Sequence, residues 1–212
     1  MQGDLELEHI IKQVIVEHLK TAYGKTVKVG VSNRHVHLSR EAVEVLFGKG
    51  YTLNICKELS QPNQYAAKEC ITLIGTKGVI EKVRILGPER KQTQVEILMS
   101  DTYKLGVTPV VRESGELENT PGIHLLGPKG MLTLSKGVIV AKRHLHLNEE
   151  DAKKMGFRDK STIKICGGER KTIYEDVVVR VSGEYATEVH LDIDEANAAG
   201  IKQNSLVSII SE

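Results

Sequence analysis

The feature that most constrains this chain is one short pattern that it contains twice. Asn33-Arg-His-Val-His-Leu-Ser-Arg-Glu-Ala42 returns 109 residues later as Lys142-Arg-His-Leu-His-Leu-Asn-Glu-Glu-Asp-Ala152. In each copy a strand-like run ends in R-H-x-H-L. A residue suited to cap a helix follows, Ser39 or Asn148, and a glycine comes after it. A weaker echo aligns Glu96-Ile-Leu-Met-Ser-Asp-Thr-Tyr-Lys-Leu-Gly106 with His190-Leu-Asp-Ile-Asp-Glu-Ala-Asn-Ala-Ala-Gly200, so Glu96 and His190 hold matching places. Duplication of one unit is the simplest account, and 212 residues leave room for two small domains, each with a core.

The texture between the repeats is β. Strand-like runs are expected at Thr26–Val31, Cys70–Ile74, Val79–Leu86, Gln94–Leu98, Met131–Leu134 and Val138–Ala141 in the first part of the chain. Others follow at Thr162–Ile165, Val177–Val181, Ala186–Leu191 and Leu206–Ile210. Turn sequences such as GTKG, LGPER, RESGE, LGPKG and CGGER bound them. Nineteen glycines, five prolines and no tryptophan suit short strands joined by tight turns, which reads as β-barrels or a sandwich. The exception is residues 4–20, where Leu7, Ile11, Val14, Ile15 and Leu19 recur at helical spacing and Gly24 supplies a stop.

Charge and composition exclude several roles. Twenty-nine basic against 28 acidic residues give a net charge of +1, so nothing global points to nucleic acid or a membrane surface. No apolar run approaches the roughly 18–20 residues of a transmembrane span, and the acidic start MQGDLELEHI is unlike a secretory signal. Cys56, Cys70 and Cys166 are odd in number and widely spaced; reduced, buried cysteines in a cytosolic protein are expected.

Chemistry enters with the histidines. Residues i and i+2 of a strand share a face, so His35 with His37, and His144 with His146, each aim two imidazoles at one point. Convergence of that kind suits a d-block cation, and two copies in one frame argue against a merely polar strand face. The weak echo supplies third ligands, Glu96 for the first pair and His190 for the second. Three donors leave a fourth position open, as in catalytic zinc sites. His9 and His18 fall on the N-terminal helix, and His124, in NTPGIHLLGPKG, is a poor substitute ligand. Arg34 and Arg143 should point to the opposite strand face. Arg90 follows a Gly-Pro turn, where a loop presents a guanidinium to an anion. No phosphate loop, dinucleotide fingerprint or G-x-S-x-G elbow is present.

Taken together, S-N-R-H-V-H-L (32–38), K-R-H-L-H-L (142–147), LGPER (86–90), VEIL (95–98), RESG (112–115) and PGIHLLGPKG (121–130) resemble the propanediol-utilisation-type phosphate propanoyltransferases. These are zinc-containing phosphotransacylases of bacterial microcompartments, and the resemblance covers about residues 25–205. It implies a mainly β fold of two β-barrels with short capping helices, pseudo-duplicated, with the active site between the barrels. Residues 34–141 would form one barrel, and 20–33 plus 142–212 the other, after an N-terminal helix within 1–22. It implies two zinc ions, one on His35, His37 and Glu96, the other on His144, His146 and His190. Arg90 matches the phosphate-binding arginine, and Ser114 lies near it. Ser32, Lys57, Arg84, Leu86 and Asn197 match positions that contact coenzyme A. The implied reaction is acyl-CoA plus phosphate giving acyl phosphate plus CoA, by direct transfer of a propanoyl or acetyl group. Residues 4–20 would dock on microcompartment shell proteins or pack on their own barrel, and a homodimer is expected by the same resemblance.

Two other readings compete with that one. A dinuclear zinc thioesterase or phosphoesterase would use water in place of phosphate. A zinc-stabilised binding module would close its metal sites and turn nothing over.

Overall fold

The structure, a computed structural model, describes residues 25–210; the helix expected at residues 4–20, with His9 and His18, lies outside them. The elements run β1 (Thr26–Ser32), β2 (His35–His37), α1 (Arg40–Phe47), β3 (Ile55–Glu58), β4 (Tyr65–Ile74), β5 (Val79–Gly87) and β6 (Gln94–Ile97). Next come α2 (Met99–Leu105), β7 (Val111–Arg112), β8 (Ile123–Leu126), β9 (Met131–Leu134), β10 (Val138–Ala141), β11 (His144–Leu147) and α3 (Glu149–Met155). The chain ends with β12 (Thr162–Gly167), β13 (Thr172–Val181), β14 (Glu188–Asp192), α4 (Ile193–Ala199) and β15 (Leu206–Ile210). The mainly β, duplicated architecture expected from the sequence is present.

The chain forms two compact units. One contains the described residues 25–31, 143–191 and 196–210, the other Ser32–Lys142 with Asp192–Glu195. In the first, six strands close a barrel in the order β1-β14-β11-β13-β12-β15, with β15 pairing β1. The second is a nine-stranded curled sheet in the order β7-β10-β6-β2-β5-β4-β8-β9, with β3 added on β4.

The repeat is legible in the pairing. β2 lies parallel to β5 and antiparallel to β6; β11 lies parallel to β13 and antiparallel to β14. Alternation decides which side chains go inward. Val36 and Leu38 enter one core, Leu145 and Leu147 the other, each at most 1% exposed, while the histidines between them take the opposite face. Burying each leucine is worth about 1.5–3 kcal/mol. A one-residue slip would put imidazoles into the core, so the register is strongly held. Each histidine strand then ends at a capped helix. Ser39 Oγ accepts from Ala42 N at 3.2 Å, and Asn148 Oδ1 accepts from Glu150 N at 3.0 Å.

Three strands exceed the sequence reading. β3, β7 and β8 are two to four residues long and sit among turn residues, where alternation has no length in which to show. All three cysteines are free, but none is buried. Cys56 is exposed on β3, and Cys70 and Cys166 are partly covered, because each falls at a sheet position turned from the core.

Candidate active site and metal-binding clusters

Strand pairing assembles the first cluster. β2 runs antiparallel to β6 with His35 opposite Glu96 and His37 opposite Gln94, so four side chains from two strands share one face. His35 Nδ1 lies 2.8 Å from the Asn33 carbonyl oxygen, which can only accept, so this nitrogen donates and Nε2 is left to face Glu96. That Nε2 is 3.4 Å from Glu96 Oε2, and His37 Nε2 is 3.8 Å from Glu96 Oε1. All three residues are buried.

Electrostatics keep Glu96 ionised among its histidine and arginine neighbours. Burial opposes charge on Glu96, but His35, His37 and Arg90 outweigh it and hold the carboxyl well below the usual carboxylate range. Burial also works against a charged His35, yet Glu96 and the Asn33 carbonyl carry its pKa upward. His37 goes the other way, to about 3, through burial and the neighbouring His35. Its Nδ1 is buried without a hydrogen-bond partner, and the nearby Leu86 backbone only weakly opposes the fall.

Arg90 and Ser114 adjoin this cluster. Arg90 is held by its backbone, which donates to the Leu38 carbonyl at 2.9 Å. Its Nη1 donates to Ser114 Oγ at 3.0 Å, and Ser114 Oγ donates to Glu96 Oε1 at 3.2 Å. The sequence reading missed Gln94, whose Nε2 donates to Glu96 Oε1 at 2.6 Å and to Ser114 Oγ at 2.8 Å. Its Oε1 accepts from Gly115 N at 2.8 Å, so one buried amide ties the RESG loop to the cluster. Gln94 precedes Glu96 by two residues and so shares its strand face, the signal that marks it in the sequence.

The second cluster repeats the plan on β11 and β14. His144 stands opposite His190 and His146 opposite Glu188. The rings of His144, His146 and His190 lie with centroids 4.6–5.0 Å apart. His146 stacks on Tyr185 at 4.1 Å, and the Arg180 guanidinium lies 5.9 Å from the Tyr185 ring centre. Both His146 nitrogens are buried without a hydrogen-bond partner. Burial, with His144, His190 and Arg180 nearby, pushes its pKa down to about 2. Glu188, Tyr185 and Arg180 were not foreseen from the sequence, and only the cross-strand register brings the first and last of them to His146.

Both triads fit a metal ion. Within each, the donor atoms all lie within 4.8 Å of one another. Ligands on a tetrahedral zinc stand about 3.3 Å apart for Zn–N bonds of about 2.0–2.1 Å, so a small contraction suffices. Buried imidazole nitrogens with no partner are costly unless something binds them. His37 and His146, kept neutral, have lone pairs to offer.

The remaining predicted residues are spread more widely. Arg84 pairs with His35 across β5 and β2, and its Nη1 donates to the carbonyls of Ala67 at 2.7 Å and Lys68 at 3.0 Å. Leu86 lies two residues on, partly buried, and Ser32 ends β1. Lys57 is exposed on β3. Asn197 is exposed on α4, in the barrel unit, and joins neither triad. His124 stands apart, with Nδ1 2.8 Å from Thr133 Oγ1. No helix among the described residues is long and apolar enough to cross a membrane.

Comparison with known proteins agrees with the geometry. The family model described as phosphate propanoyltransferase matches residues 28–202. A phosphate propanoyltransferase of Thermotoga maritima is 56% identical over 86% of this chain and 88% of its own length. Relatives of the same name from Rhodopseudomonas palustris and Enterococcus faecalis are 47% and 46% identical, over 96% and 92% of this chain and 96% and 93% of their own lengths. With a repeated H-x-H frame, two matching triads and a match along nearly the whole chain, this protein belongs to the phosphate propanoyltransferase family of transferase enzymes.

Proposed function

We propose that this phosphotransacylase moves a propanoyl group between coenzyme A and inorganic phosphate, with a zinc ion held at each triad. The observation that carries the reading is the chain of contacts Arg90–Ser114–Glu96–His35. It puts an anion-binding guanidinium within two hydrogen bonds of a three-donor cluster.

Phosphate is a weak, heavily hydrated nucleophile that must be desolvated and aimed. The Arg90 fork can take two of its oxygens, and Ser114 Oγ, already bonded to Nη1, can turn to a third. Phosphate oxygen then attacks the thioester carbonyl carbon, the C–S bond breaks, and the electron pair leaves on the coenzyme A sulfur. His35, His37 and Glu96 would hold one zinc ion and His144, His146 and His190 another, and zinc so held would supply Lewis acidity for a carbonyl oxygen and a soft partner for thiolate. Ser114 is no acyl-enzyme nucleophile on this reading. Its Oγ sits among Arg90, Gln94 and Glu96 with no neutral imidazole bonded to it as base, which favours direct transfer.

Ser32, Lys57, Arg84, Leu86 and Asn197 are assigned to coenzyme A. Arg84, anchored through two carbonyls, and the exposed Lys57 offer positive charge for its phosphates. The amphipathic residues 4–20 are assigned to docking on a microcompartment shell.

Exchange of labelled phosphate into propanoyl phosphate without coenzyme A tests the direct route, in protein whose metal has been counted. Direct transfer predicts no exchange and about two metal ions per chain. Rapid exchange would establish an acyl-enzyme, and a metal-free active protein would remove the zinc assignment.

A further inference from the structure

The two clusters are four-membered, and their fourth members differ in an instructive way. In each, two residues of one strand face two of its antiparallel neighbour. His35 and His37 face Glu96 and Gln94; His144 and His146 face His190 and Glu188. The corner that is glutamate in the first cluster is histidine in the second. The corner that is an amide in the first is a carboxylate in the second. Each cluster therefore carries one carboxylate, moved along the strand by one pleat.

Glu188 is placed as a member of its cluster rather than as a surface acid. It is 4% exposed, with Oε2 3.2 Å from His190 Nε2. The neighbouring strand makes room for it. A Cβ on Gly30 of β1 would stand 2.8 Å from Glu188 Cδ and Oε2, so only glycine leaves space for the carboxylate there. Burial of a carboxylate is expensive, and a cation beside it lowers that cost.

We infer that Glu188 is a positioning residue of the second metal site, orienting His190 and supplying the negative charge that three neutral imidazoles lack. The inference rests on the proposed metal occupancy of His144, His146 and His190. A dication on those imidazoles alone would keep its full charge; with Glu188 the site carries the same net charge as the one built on His35, His37 and Glu96. Outer carboxylates that hold a ligating histidine typically change metal affinity by about 10–100-fold when removed.

The test uses the full chain carrying His37→Ala, which weakens the first cluster, stripped with a chelator and titrated with cobalt(II). Affinity at the remaining site is read by chelator competition, and geometry by the visible cobalt bands. Adding Glu188→Gln, nearly isosteric, is expected to weaken binding by about 10–100-fold and shift the bands. Gly30→Ala, which displaces the carboxylate without removing it, should move both readouts the same way. A purely structural role would instead lower the unfolding midpoint and leave the cobalt spectrum and affinity of the folded protein alone. Unchanged affinity and bands in Glu188→Gln, with circular dichroism intact, overturn the inference and spare the metal site. A parent whose cobalt binding is indifferent to His144→Ala overturns the metal assignment itself, and the inference with it.

Discussion

Replacing His146 with leucine should remove an acid sensitivity that this buried imidazole builds into the metal-free protein. His146 is 6% exposed, and its pKa falls from an ordinary 6.5 to about 2 through burial and the nearby His144, His190 and Arg180. The unfolded chain therefore binds a proton here below about pH 6.5 that the folded chain refuses until about pH 2. With a depressed folded pKa, the folded state loses ground as pH falls through that window, by about 1.4 kcal/mol per unit. Between pH 6.5 and about pH 5 the loss comes to about 2 kcal/mol, and above pH 6.5 there is almost none. Glu96, whose carboxyl is also depressed, contributes only below its ordinary value of 4.5 and stays silent over this range. His37 adds a loss of the same sign, while the raised His35 works against it, and both are common to wild type and variant. Urea unfolding of chelator-stripped protein at about pH 7.5 and pH 5 measures the difference. Wild type should lose about 2 kcal/mol more than His146→Leu. At pH 7.5 the variant should match or exceed wild type, having shed two unpartnered buried nitrogens worth about 1–3 kcal/mol each, and it should be inactive. An equal acid loss in both proteins would refute the burial argument.

Other expectations follow from single contacts. Arg90→Lys keeps the charge and loses the fork, so kcat/KM for phosphate should fall by about 10–100-fold, from about 1.5–3 kcal/mol of charge-assisted bonding, with the coenzyme A KM little changed. Ser39→Ala removes the α1 cap bond from Ala42 N and should cost about 1 kcal/mol in chemical denaturation. Gly75→Ala would put a methyl 2.0 Å from the Leu105 carbonyl oxygen, which is backbone and cannot swing aside. It should destabilise its unit by about 1–3 kcal/mol or more, visible as a lower melting temperature.

How much of this was legible in the chain depended on distance along it. The H-x-H pairs, Ser39 and Asn148 as caps and the strand runs are local patterns, and a period of two fixes the shared face of His35 and His37 without knowing any partner. Glu96 and His190 were found because duplication aligned them. Gln94 and Glu188 sit two residues before them on the same face, and the same alignment pairs an amide with a carboxylate. Without the register of β6 and β14 against β2 and β11, however, nothing in the sequence says that these corners are buried against histidines. Tyr185 and Arg180 come to His146 from different segments, the latter across β13, so only topology reveals them. The cysteines were misjudged for a related reason. Composition says that free cysteine is usually buried, but which strand face Cys56 occupies is settled by β3 lying on β4 with its residues exposed.

The central claim is that phosphate, rather than water, is the acceptor. Purified protein given propanoyl-CoA, with and without phosphate, reports on this directly when free thiol and hydroxylamine-trapped acyl phosphate are followed together. The account predicts thiol release only with phosphate present, an equal amount of acyl phosphate, and loss of both in Arg90→Ala and in His144→Ala. Thiol released at the same rate without phosphate, and no acyl phosphate formed, would make the protein a hydrolase and contradict the account.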